Sequence, residues 1–137
     1  MKRVLIAVDG SKFSERAFGY SLERAKESGN HLTILQVVSG FGYDETPSEE
    51  ALSEEINKAK DFVEELEKIA EEEGVSVNSE VITGTNIATR IVNYANENNY
   101  DLIVMGSKGM SDVGRINLGS VTHGVLERAR CPVLVVH

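Results

Sequence analysis

Val75-Ser76-Val77-Asn78-Ser79-Glu80-Val81 alternates apolar and polar residues, the period of a strand with one wet face. The other strand-like stretches read differently. Val4–Val8, Leu102–Met105 and Val133–Val136 are short apolar runs, and Leu32–Val38 is another with Gln36 inside it, as suits strands buried on both faces. Helical stripes separate them. Phe18, Leu22 and Ala25 form the first, which stops at Gly29. Leu52, Ile56, Ala59, Val63, Leu66 and Ala70 form the second, behind a capping box at Thr46-Pro47-Ser48-Glu49. If continuous to Glu73, that helix is longer than the domain needs, so its first turns are expected to overhang or fray. Ile87, Ile91 and Ala95 follow a cap at Thr85 or Asn86, and Val121, Val125 and Ala129 make the last stripe. The order βαβαβαβαβ predicts a parallel sheet with right-handed crossovers and helices on both faces. The third strand alone looks like an edge, which selects the order 3-2-1-4-5 for a single-domain, Rossmann-like, doubly wound α/β fold over residues 1–137. Ligands of such sheets bind where the winding reverses, beyond the carboxyl ends of the first and fourth strands.

Composition agrees with one globular domain: 137 residues, 41% hydrophobic and 26% charged. No apolar run approaches the ~20 residues that cross a bilayer, and Asp9 interrupts the first run too early for a signal peptide. A single cysteine excludes an internal disulfide framework, so a reducing, cytoplasmic setting is expected. The net charge of −8 opposes general nucleic-acid binding. It is concentrated between Glu49 and Glu73, which leaves the remaining chain neutral and open to an anionic ligand.

The densest chemistry lies after the fourth strand. Gly106, Gly109, Gly114 and Gly119 fall in one short stretch, and Gly119-Ser120 opens a helix, where N–H groups favour phosphate. A P-loop is absent, because Gly109–Gly114 is followed by Arg115-Ile116. The paired acids of a receiver domain are absent too. His31, His123, His137 and Cys131 have no metal-ligand spacing, so no protein-held metal site is expected.

Gly106-x-x-Gly109, nine residues and then Gly119-Ser120 resembles the glycine signature of the ATP-binding universal stress proteins. The opening Val4–Ser11 and the closing Cys131–Val136 are similar to that family as well. The resemblance implies an adenine nucleotide, ATP or else AMP or ADP, with any magnesium carried by its phosphates. Ala7, Val8 and Asp9 would lie at the adenine and ribose, Val37 over the base, and Met105 and Gly106 along the crevice. Gly109, Gly119, Ser120, Val121 and Thr122 would hold ribose and phosphates.

The function expected from this is a nucleotide-binding stress regulator or sensor. The alternatives are a slow ATP-hydrolysing enzyme and an interaction module without nucleotide. Lys108, Arg115 and Asp112 offer phosphoryl transfer no pairing legible in sequence, so at most slow hydrolysis is expected. The last strand would be an edge, yet it is wholly apolar, which predicts a homodimer through residues 133–137.

Overall fold

The computed structural model describes residues 2–39, 49–112, 114 and 117–137. Five strands, β1 (Arg3–Val8), β2 (His31–Val38), β3 (Val77–Thr83), β4 (Leu102–Gly106) and β5 (Val133–Val136), alternate with four helices. The helices are α1 (Lys12–Ser28), α2 (Glu49–Glu72), α3 (Ile87–Glu97) and α4 (Ser120–Arg128). The sheet runs β3-β2-β1-β4-β5 with every pairing parallel, the order anticipated from the polar alternation of β3.

Because strand side chains alternate between faces, each strand feeds two cores. Val4, Ile6 and Val8 of β1 pack with Leu32 and Ile34 beneath α1 and α2. Leu5 and Ala7 pack with Leu35, Val37, Ile103 and Met105 beneath α3 and α4. Phe18 and Leu22 on the inner face of α1 are buried, each contributing about 1.5–3 kcal/mol. The central strands are buried on both faces, whereas β3 is half-exposed along most of its length. β5 is also half-exposed throughout, although it carries no polar side chain.

The helix ends follow from local chemistry. Gly29 closes α1 at φ 73°, a left-handed position that favours glycine. Asn86 caps α3, its side chain accepting the Thr89 N–H, which settles the choice between Thr85 and Asn86. The first ten residues of α2 contain no buried side chain, and burial begins at Ala59, so the start of this acidic helix overhangs the core. The expected capping box at Thr46–Glu49 lies outside the described residues except for Glu49.

Candidate functional site

β1 and β4 are neighbours, with Ala7 opposite Met105. β1 leads to α1 on one face of the sheet, and β4 leads to α4 on the other. The winding therefore reverses between them, and the crevice opens beyond their carboxyl ends. Ala7, Val37 and Met105 reach this end on the α3/α4 face as one apolar floor. Val8 is the exception among the expected residues of the floor. Its side chain belongs to the opposite core, so only its backbone borders the crevice.

The exit from β1 is short and internally bonded. Asp9 Oδ1 accepts the Ser11 N–H at 2.9 Å, and Gly10 turns the chain at φ 87°. Ser11 then caps α1, its hydroxyl accepting the buried Ser14 N–H at 3.2 Å. Asp9 also reaches across the crevice. Its Oδ2 accepts the Met110 N–H at 2.7 Å, a contact between residues 101 positions apart. Asp9 is thus both the turn residue and the tie between the two exits.

The exit from β4 is long and depends on close approach. A Cβ at Gly106 would lie 2.8 Å from the carbonyl carbon and the Cβ of Phe13, so Gly106 is where the start of α1 rests on β4. Thr122, buried on α4, donates its hydroxyl to the Gly106 carbonyl at 2.8 Å. Ser107, also buried, accepts the Gly119 N–H at 2.8 Å and donates its own N–H to Val136. These bonds seat the start of α4 against the end of β4. α4 receives no side-chain cap, because Gly119 has no side chain to give one. The first N–H groups of a helix lack intrahelical acceptors. With Gly119 N–H committed to Ser107, the donors presented there are those of Ser120, Val121 and Thr122, with the Ser120 side chain exposed beside them.

Asp112, weighed in the sequence only as a group for phosphoryl transfer, has a structural role in the loop. It closes a short 3-10 turn, Met110–Asp112, in which its N–H reaches the Gly109 carbonyl at 3.1 Å. In return Gly109 N–H donates to Asp112 Oδ2 at 2.9 Å. A Cβ at Gly119 would stand 2.4 Å from that same oxygen and 3.1 Å from Lys108 Cα. Gly109 and Gly119, two of the three glycines of the motif, therefore face an acidic side chain of the chain itself. The legible signal was an acid three residues after a glycine, the spacing of a reciprocal backbone and side-chain turn.

The remaining candidates lie elsewhere. His31 is held between Ser76 and Asn78, and His123 pairs with Glu127 on the surface of α4. Burial pushes the Cys131 thiol up, which keeps it protonated. Lys108 turns its ammonium toward the Phe13 ring, 5.8 Å from the centroid. Among the described residues no group of three or more His, Cys, Asp or Glu converges to hold a metal ion.

Known proteins share both the sequence and this architecture. The family model described as the universal stress protein family matches residues 1–137. A universal stress protein of Methanocaldococcus jannaschii is 36% identical over 98% of this chain and 81% of its own. The structure of the universal stress protein UspA from Lactobacillus plantarum superposes with a TM-score of 0.91 at 29% identity, covering 99% of this chain and 97% of that one. A universal stress protein solved in complex with cAMP superposes with a TM-score of 0.75 at 28% identity, covering 99% and 97%. With the sheet order, the crevice and the glycine spacing all in agreement, this chain belongs to the universal stress protein family.

Proposed function

We propose that this chain binds an adenine nucleotide between the ends of β1 and β4, and that occupancy changes its shape or its choice of partner as a stress-response regulator. One observation carries the reading. An apolar floor made by Ala7, Val37 and Met105 ends beside a helix start that the chain leaves without a side-chain cap. A flat, weakly polar base suits the floor, and an anion suits the helix start. Asp9 lies between them with a carboxylate able to accept a hydroxyl of a ribose, and Gly109, Ser120, Val121 and Thr122 line the anion end. The relative bound to cAMP, at 28% identity, supports an adenine ring with a phosphate as the ligand class. ATP, AMP and ADP all fit this chemistry, with magnesium brought by the phosphates and not by a protein cluster. No step of hydrolysis follows from the arrangement, so turnover is expected to be slow at most.

The assembly belongs to the same proposal. β5 is an edge strand whose Leu134 and Val136 touch one core and Val133 the other, yet all four residues stay half-exposed. An apolar edge left open invites pairing. A second copy aligned antiparallel across a two-fold axis would cover it and close the assembly at two. No helix among the described residues is long and apolar enough to cross a membrane, and a cytoplasmic location is part of the reading.

Titration calorimetry with adenosine, AMP and ATP on the purified chain tests the ligand. Binding of none of the three would reject the nucleotide reading. Sedimentation equilibrium at tens of micromolar tests the dimer, and a species of 15.0 kDa would reject it.

A further inference from the structure

We propose that Met110 is a site of reversible oxidation, and that a peroxide converting its thioether to the sulfoxide loosens the crevice and weakens the nucleotide held there. The inference rests on the nucleotide reading above and adds how that site is regulated.

The sulfur side chains among the described residues differ in what can reach them. Met105 is 4% exposed, within the sheet floor. Cys131 is half-buried, and burial pushes its thiol up, which keeps scarce the thiolate that reacts with peroxide. Met110 is 59% exposed, the most of any large apolar side chain among the described residues. A thioether has no proton to lose, so access decides its oxidation. Its position gives that oxidation a consequence. The Met110 N–H holds Asp9 Oδ2 at 2.7 Å, and the Met110 Cε lies 3.5 Å from where a Cβ on Gly10 would stand. Backbone and side chain of one residue thus clasp the β1 exit from the β4 loop, beside the carboxylate assigned to the ribose.

Hydrogen peroxide supplies the oxygen. A lone pair of the thioether sulfur attacks it, the O–O bond breaks, an S–O bond forms and water leaves. The thioether is oxidised as the peroxide is reduced. The sulfoxide is polar, and its oxygen accepts hydrogen bonds but donates none. Asp9, next to Gly10 in the chain, presents a carboxylate that also accepts. Two acceptors do not pair, so the oxidised side chain leaves the Gly10 turn for water. The clasp then keeps only its backbone half. A methionine sulfoxide reductase returns the thioether, which makes the change reversible.

Mild treatment of the whole chain with hydrogen peroxide, followed by peptide mass spectrometry and calorimetry with AMP, tests the proposal. Met110 should gain one oxygen atom while Met105 gains none. AMP affinity should fall by about fivefold and recover after a sulfoxide reductase. Met110→Leu keeps the apolar volume without the sulfur, so peroxide should leave the AMP affinity of that variant where it was. Oxidation of Met105 or Cys131 ahead of Met110 would overturn the assignment. Met110 oxidised with AMP affinity unchanged, or an equal peroxide loss in Met110→Leu, would overturn the regulation while the nucleotide reading stands. If adenosine, AMP and ATP all fail to bind the untreated chain, both fall together. Amide NMR spectra without any ligand test the clasp itself. Oxidation should move the resonances of Asp9, Gly10 and Ser11, and unmoved resonances there would overturn the proposal whatever the chain binds.

Discussion

The two central strands leave the sheet in opposite ways. β1 exits through Asp9-Gly10-Ser11, where both polar side chains meet a backbone donor within a few residues: Asp9 Oδ1 meets the Ser11 N–H, and the Ser11 hydroxyl meets the Ser14 N–H. β4 exits through a long glycine-bearing loop and enters α4 with no side-chain cap. Both helices face the same need, since the first N–H groups of any helix lack intrahelical acceptors. α1 answers it from within the chain. α4 leaves donors at the crevice, held in place by Gly119 N–H on Ser107 and by the Thr122 hydroxyl on Gly106. On the proposed function, the firmly seated, uncapped start of α4 is the ligand end, while the capped start of α1 is scaffolding. Changes at the two exits should accordingly separate stability from affinity.

The largest effect is expected at Gly106, where the two exits touch. A valine there would drive its Cβ to 2.8 Å from the Phe13 carbonyl carbon, a backbone atom that cannot swing aside. Gly106→Val should destabilise by more than about 3 kcal/mol or prevent folding. Thermal unfolding followed by circular dichroism measures it, and a near-normal midpoint would mean that α1 does not rest on β4 as described.

Gly119→Ala comes next. The new methyl would meet Asp112 Oδ2 at 2.4 Å and Lys108 Cα at 3.1 Å, so a loss of about 2–3 kcal/mol is expected. The first contact is the end of a side chain, and the second is backbone. Adding Asp112→Ala should therefore recover part of the loss, with a coupling of about 1 kcal/mol or more in a double-mutant cycle. Strict additivity would show that the carboxylate is not the clashing group.

These contacts also mark where the sequence stopped being legible. Strand and helix placement rested on periods of 2 and near 3.6 and on capping residues, all of them local, and Gly29, Asn86 and the polar alternation of β3 carried that information directly. The glycine spacing located the loop, and the register of β1 with β4 brought Ala7 and Met105 together as the topology required. What fills the space over each glycine is tertiary. Phe13 against Gly106 and Asp9 on Met110 join residues about a hundred positions apart, and no local pattern encodes them. The side of the sheet taken by Val8 was readable from alternation alone, since Ala7 and Val8 must point to opposite faces. Its place among the crevice residues came from the resemblance and not from the pleat.

Ser120→Ala removes a hydroxyl from the exposed start of α4 while leaving every seating bond of that helix intact. Stability should hold, and ATP affinity should fall by about 2 kcal/mol, roughly thirtyfold, if the hydroxyl donates to a phosphate. Adenosine affinity should not change. An equal loss for adenosine and ATP would move the serine from the phosphate to the ribose end.

Ser11→Ala is the mirror case and the smallest effect. The hydroxyl accepts the Ser14 N–H, and Ser14 is buried, so its removal strands a donor at the first turn of α1. Losing such a cap costs about 1 kcal/mol, readable as a lower urea midpoint with an unchanged slope. Affinity should be untouched, for a reason the geometry makes specific. What orients Asp9 on this side is the Ser11 backbone N–H, which alanine retains, and what orients it on the other is the Met110 N–H. Ser14 also keeps its own hydroxyl on the Ser11 carbonyl at 2.9 Å, so the turn retains one of its bonds. Ser11→Ala should therefore shift the unfolding curve and leave the nucleotide isotherm in place, while Ser120→Ala does the reverse. If Ser11→Ala weakened binding as much as it weakened the fold, the β1 exit would be part of the responsive machinery, and the division between a capped scaffold and an uncapped site would not hold.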